Sequence, residues 1–223
     1  MTKPFPQDWK HALIVVAHPD DPEYGMAAAV AKWTRQGKQV TYVLASSGEA
    51  GIEGMDPREA GPLREEEQRR AGLHVGVKTL VWLDEPDSRL SESPTLTESI
   101  RGALDAHPAE VVISTYRGPE WAPGMPNQAD HTAVGEATVE ALKGRDVWHF
   151  ENGPGPTHHE FVDDEDVHAA IRSLAEHQMY LAVLDPATPV KTQARAQIYR
   201  SVARNGVDNR VHFRLISGPK MNS

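Results

Sequence analysis

The stretch Ala12-Leu13-Ile14-Val15-Val16-Ala17, followed at once by His18-Pro19-Asp20-Asp21-Pro22-Glu23, decides how the chain is read. Six apolar residues in a row have the length of a strand, and a strand without alternation is one buried on both faces of a parallel sheet. Outward from it, apolar positions at helical spacing from about Tyr24 to Gln36, with Gly37 as a stop, predict a helix. Val40 to Ala45 predicts a second strand, and a charged helix near Pro62 to Leu73 carries Glu65/Arg69 and Glu66/Arg70 one turn apart. Thr79 to Leu83 and Glu110 to Thr115 read as strands on either side of a helix over Leu96 to Ala106. His131 to Lys143 is an amphipathic, alanine-rich helix, and Val147 to Phe150 is a fifth strand. Strands alternating with helices predict one α/β domain built on a mostly parallel sheet, with right-handed crossovers and helices on both faces. Beyond Glu151 come a Gly/Pro loop, helices near Asp164 to Met179 and Val190 to Ala203, an edge strand over Val211 to Ile216, and a frayed tail after Gly218.

At 223 residues the chain can bury one substantial core but is short for two α/β domains. A formal charge of −9 argues against a grip on nucleic acid phosphates or an anionic membrane, since either needs a basic footprint. A neutral or cationic small molecule is the expected partner. With no cysteine, thiolate metal sites are excluded and any metal must sit on His, Asp and Glu. Neither an apolar leader within Met1 to Lys10 nor a run of about 20 apolar residues is present, so a cytoplasmic protein is expected.

Open α/β sheets bind ligands at the carboxyl ends of their strands, which directs attention to the loops after the first, second, fourth and fifth strands. The first of these holds one imidazole and three carboxylates within six residues, a cluster whose like-charge repulsion calls for a cation. Hydrolytic zinc sites use three protein ligands and keep a position for water. His18 and Asp21 supply two, and the segment Asn127-Gln128-Ala129-Asp130-His131 offers His131 as the third, which leaves Asp20 free as a proton acceptor. Set against this, His-Pro-Asp-Asp is also what a plain turn with an aspartate helix cap looks like.

The motif AHPDDPEYG (17–25) resembles the AHPDD-x-E-x-G signature of the LmbE/PIG-L de-N-acetylases. The resemblance extends to Ser47-Gly48-Glu49-Ala50-Gly51, to Leu63-Arg64-Glu65-Glu66-Glu67, to Asp130-His131-Thr132-Ala133-Val134-Gly135 against HPDH-x-A-V-G, and loosely to His177-Gln178, covering about residues 11 to 180. It implies a Rossmann-like sheet, zinc (or another divalent ion such as ferrous iron) on His18, Asp21 and His131, Asp20 as general base, and removal of an N-acetyl group from an amino sugar or its conjugate. Asp130 enters the catalytic set on the same resemblance. In one place the sequence departs from the pattern: Gln128 stands where the family places a histidine, and Gln donates a hydrogen bond but carries no proton.

Arg64 reads either as a substrate contact or as one more solvated charge on its helix. Glu49 reads as a partner for sugar hydroxyls or as a turn cap. His158 and His159, after the Gly/Pro loop, are candidates for reaching over the metal or for an exposed pair. Trp121, in the long loop with Tyr116 and Arg117, is a candidate platform for a sugar ring on a substrate lid. Other readings are a thiol-conjugate amidase of the same family and a non-catalytic metal or sugar binder. A nucleotide-binding domain fits poorly, because carboxylates replace the glycine-rich phosphate loop. Homo-oligomerisation is left open.

Overall fold

The computed structural model describes residues 2–202 and 209–219. Its order of elements is β1 (Lys3–Pro4), β2 (His11–Val16), α1 (Asp21–Gly25), α2 (Ala27–Arg35), β3 (Gln39–Leu44), α3 (Pro57–His74), β4 (Thr79–Trp82), a 3-10 turn (Leu90–Glu92), α4 (Leu96–Ala106) and β5 (Val111–Thr115). There follow β6 (Glu120–Ala122), β7 (Met125–Pro126), α5 (Ala129–Ala141), β8 (Trp148–Asn152), β9 (His158–Phe161), α6 (Asp164–Leu174), α7 (Gln178–Leu184), α8 (Val190–Val202) and β10 (Arg210–Ser217).

Eight strands form one sheet in the order β1-β9-β10-β8-β5-β2-β3-β4, and β6-β7 form a separate small hairpin. From β4 across to β8 every pairing is parallel; β10 pairs antiparallel with both β8 and β9. The unbroken apolar run of β2 explains its central place. Ala12, Ile14 and Val16 enter one core layer, while Leu13, Val15 and Ala17 enter the other, so both faces of the strand are buried under helices. β2 is flanked by β3 on one side and β5 on the other, so the strand order reverses there and its carboxyl end opens into the crevice where such sheets bind ligands.

Several expectations are corrected. The helix predicted over Tyr24 to Gln36 is two helices that meet at Met26, whose φ of −124° is not helical. The charged helix begins five residues earlier than predicted, at Pro57, where the Asp56 side chain accepts from the Arg58 N–H and proline occupies a first-turn position that needs no N–H. The helix predicted to run from Asp164 to Met179 ends at Leu174, and α7 starts afresh at Gln178. The carboxy-terminal strand is not an edge: β9 and β1 lie outside it and complete the sheet. The predicted helix end at Ala203 and most of the tail expected to fray beyond Gly218 (residues 220–223) lie outside the described residues.

His149 on β8 is buried, with Nε2 3.0 Å from Ser114 Oγ. Burial, helped by the Arg117 charge, lowers its pKa from 6.5 to about 4. The unfolded chain therefore binds a proton that the folded chain refuses between these two values, and stability should fall as pH drops from 6.5 to 4. His149→Gln is expected to flatten this acid limb by roughly 3 kcal/mol, read from urea midpoints across pH. Identical profiles for wild type and variant would show that His149 is not the titrating group.

Candidate active site

At the carboxyl ends of β2 and β5 lies a cavity of about 840 Å³ whose wall includes His18, Asp20, Asp21, Arg64, Asp87, Trp121, Gln128, Asp130 and His131. The loop after β2 sets its floor. Asp21 opens α1, and its Oδ2 accepts from the N–H groups of Ala17 (3.1 Å) and His18 (2.9 Å), so the loop folds back on itself. Its Oδ1 is 3.0 Å from Nε2 of His131.

Asp20 adopts a left-handed backbone with φ of 85°, a conformation that costs a non-glycine residue roughly 1–3 kcal/mol. The surroundings hold it there: its N–H donates to Gln68 Oε1 (2.8 Å), and its carboxylate Oδ1 accepts from Arg64 Nη2 (3.0 Å). Burial pushes the Asp20 carboxyl up to about 6, against the pull of Arg64 and with the help of Asp21.

The two histidines present defined nitrogens. Asn127 Nδ2 donates to the carbonyls of Tyr116 and Gly118, so its Oδ1 is the acceptor 3.2 Å from His131 Nδ1. His131 therefore donates from Nδ1 and presents Nε2 to Asp21; burial opposes a charge on the ring, but Asp21 outweighs it and raises the His131 pKa. His18 Nε2 faces Asp87 at 3.1 Å and Asp130 at 3.3 Å, which leaves Nδ1 on the side of Asp21, 3.7 Å from Oδ2. Burial opposes a charge on His18, but those two carboxylates outweigh it and push its pKa up to about 10. For Asp21, burial is overcome by the adjacent His131, and its carboxyl is held well below the usual carboxylate range.

His18, Asp21 and His131 each bring a donor atom within 4.8 Å of the others, and so do His18, Asp87 and Asp130. The second group is the more enclosed, with side-chain exposure of 3% and 5% for its aspartates against 14% and 10% for Asp21 and His131. Asp130 also accepts from the N–H groups of Ser88 (2.7 Å) and Leu90 (3.1 Å), and Asp87 from that of Ala50 (2.8 Å). These aspartates are thus tied to backbone and to the rear nitrogen of His18. Asp130, expected in the catalytic set, lines the cavity with its carboxylate engaged by Ser88, Leu90 and His18.

Arg64 is not a solvated ion pair. It is 2% exposed, donates to Gly48 O (2.8 Å), Pro19 O (2.9 Å) and Asp20, and lies 4.3 Å from the ring centre of Tyr180. A Cβ at Gly48 would stand 2.2 Å from the guanidinium and one at Gly51 2.4 Å, which explains both glycines of the GEAG stretch. Trp121 reaches the cavity from the β6-β7 hairpin, with its ring 5.3 Å from Tyr116 and 6.5 Å from His131. Gln128, the residue before α5, is exposed to the cavity.

Other candidates do not reach the site. His158 and His159 are buried in β9, paired with β10 and β1, one against Phe150 and the other bonded to Thr2 Oγ1, and neither lines the cavity. Glu49 does not line it either; its Oε1 accepts from the Asp87 N–H and braces that loop. Asp87, by contrast, was not anticipated. It stands in the loop after β4, and the same sheet-end rule applied to that strand points to it. His177 is fully buried, 3.5 Å from Glu23, consistent with a packed residue.

Residues 13–142 match the family described as PIG-L, GlcNAc-PI de-N-acetylase. The chain belongs to this family. Among curated PIG-L relatives, a probable N-acetyl-α-D-glucosaminyl L-malate deacetylase 2 of Bacillus anthracis is 34% identical over 140 residues, 60% of this chain and 59% of that protein. The chain thus spans about three fifths of the length of that relative. An N,N′-diacetylchitobiose deacetylase from Pyrococcus horikoshii superimposes with a TM-score of 0.77 at 19% identity, covering 94% of this chain and 84% of that one. A 4-carboxy-2-hydroxymuconate hydratase from Pseudomonas putida KT2440 also shares the fold, with a TM-score of 0.66 at 19% identity over 96% of this chain and 99% of that one. The PIG-L fold alone therefore does not fix the reaction, and the site has to. Among the described residues, no helix is long and apolar enough to cross a membrane.

Proposed function

We propose that the chain is a metal-dependent N-deacetylase that hydrolyses the acetamide of an N-acetylglucosamine-type sugar. The observation that carries this reading is the convergence of His18, Asp21 and His131 on one patch of cavity wall, with Asp20 beside them. Two imidazoles and a carboxylate suit a divalent ion, and zinc is the ion proposed, with ferrous iron as the alternative. The hydrogen bonds at His18 Nε2 and His131 Nδ1 leave the facing nitrogens as ligands, the outer-shell arrangement that metal-binding histidines use. When bound, such an ion supplies Lewis acidity at the acyl oxygen and at the attacking water.

The chain's own residues divide the remaining work. Asp20 is anchored through Oδ1 to Arg64, while Oδ2 makes no hydrogen bond among the described residues and is the atom that takes the proton from water. The same oxygen returns that proton to the departing amine, so acetate and the free amino sugar leave together with a regenerated carboxylate. Gln128 donates to the oxyanion as it forms. Trp121 offers a face to the sugar ring. Asp87 and Asp130 hold His18 in place. The whole chain is taken as one catalytic unit, since Gln197 of α8 also lines the cavity, and the cytoplasm as its place.

Zinc-loaded protein is expected to release acetate from at least one N-acetylglucosamine derivative, to stop when the metal is chelated, and to resume when zinc is restored. A protein that binds metal and sugar but releases no acetate across such a panel would instead be a non-catalytic binder.

A further inference from the structure

We propose that the substrate is an N-acetylglucosaminide with an uncharged, apolar aglycone, an alkyl or aryl glycoside, and not a carboxylate-bearing conjugate such as the malate of the curated relatives. This rests on the deacetylase reading above and adds to it the chemistry of the group that the sugar carries.

Two independent features of the cavity support the proposal. The first is charge. Among the described residues four carboxylates line the cavity, from Asp20, Asp21, Asp87 and Asp130, against one guanidinium and no lysine. Arg64 is spent on two carbonyls and on Asp20, so it has little to offer an incoming anion. Among the described lining residues no lysine and no uncommitted arginine is left to pair with the carboxylates of a dicarboxylate, which would approach a wall rich in aspartate.

The second is the rim. Trp121 and Met125 on the β6-β7 hairpin and Leu184 on α7 line the cavity from two sides, at 37%, 60% and 53% exposure. Tyr180, one turn before Leu184, continues the α7 wall down to Arg64. Of the eight large apolar side chains exposed among the described residues, three line this one cavity: Trp121, Met125 and Leu184. Apolar side chains gathered at the mouth of a cavity mark a surface that a ligand covers. Position then decides which part of the substrate reaches them. The acyl carbon must lie on the floor, where Val16, Thr115, His18, Asp20 and His131 are all buried, whereas the apolar rim is at the mouth. The part that leads outward is the sugar and what it carries.

The test compares kcat/KM for acetate release from the hexyl and methyl N-acetyl-β-glucosaminides and from N-acetylglucosaminyl malate. Burial of only two methylene groups gives about tenfold, so the hexyl glycoside should exceed the methyl one by about tenfold or more, with the malate conjugate below both. Leu184→Asp and Met125→Asp, both at exposed positions, should each narrow the hexyl-to-methyl ratio to about threefold or less. A malate conjugate used as well as the methyl glycoside would overturn the proposal. So would a methyl glycoside bearing an N-hexanoyl group that gains over its N-acetyl parent as much as the hexyl aglycone does, because the rim would then serve the acyl chain. Calorimetry with hexyl and methyl glucosaminide, which have no acetyl group to lose, supplies a readout separate from turnover. The hexyl compound should bind about tenfold tighter, and Leu184→Asp should remove the difference. If no substrate releases acetate, the deacetylase reading falls and the calorimetric preference still decides this proposal; equal binding of the two glucosaminides would overturn it.

Discussion

Asp20→Asn is expected to keep the metal and lose turnover by about 100- to 10,000-fold, whereas Asp21→Asn is expected to lose the metal itself. The two aspartates are neighbours in sequence but face different partners. Asp20 is buried and bonded through Oδ1 to Arg64, and asparagine keeps both the shape and an oxygen for that bond. Asparagine also tolerates the left-handed backbone at this position better than most residues, so the loop should survive the change. What disappears is the ability to hold a proton. At Asp21 the logic is reversed. Its Oδ2 accepts two backbone N–H groups, so an asparagine there would keep its oxygen on the backbone and turn its NH₂ toward His131 and the metal. A cation loses an anionic ligand and meets two N–H donors in its place. Elemental analysis beside acetate release checks both variants, and equal metal loss in the two would show that the roles are wrongly divided.

The legible part of this site was the part written in contiguous residues. The apolar run of β2 and the His-Pro-Asp-Asp that follows it are local, and the sheet-end rule placed them correctly at the reversal of strand order. His131 was found because its segment follows another strand at the same end. The sequence was silent where a residue's meaning depends on what folds onto it. α3 carries so many surface charges that one buried arginine, Arg64, is indistinguishable by composition from its solvated neighbours Arg69 and Arg70. His158 and His159 failed in the opposite sense. A histidine pair after a Gly/Pro loop looks like chemistry, yet here it is strand β9, whose burial comes from β10 and β1, the first of which returns from about 50 residues later in the chain. That long-range return also explains why the final strand was misplaced at the edge of the sheet.

Gln128→Ala is expected to lower kcat by about 100- to 1,000-fold with the metal still bound, the usual cost of removing one donor to an oxyanion. The family histidine at this position could serve as a proton carrier or as a hydrogen-bond donor, and the structure bears on the choice. If a proton carrier were required, another imidazole would have to stand in for it. The imidazoles lining the cavity are those of His18 and His131, both engaged with aspartates, and His158 and His159 are buried in the far half of the sheet. Asp20 is then the group left to move protons in both directions, and it needs from Gln128 only an N–H aimed at the developing charge. Gln128→His should accordingly leave activity similar or higher and add a pH dependence near the imidazole pKa, since the ring donates when protonated and, in one tautomer, when neutral. Gln128→Glu should be as damaging as the alanine variant or more so, because a carboxylate in that place accepts where the reaction needs a donor and repels the oxyanion. The measurements are kcat and metal content on a substrate that the wild type turns over. An unchanged kcat in Gln128→Ala would remove this residue from the mechanism, and stabilisation of the oxyanion would then fall to the metal alone.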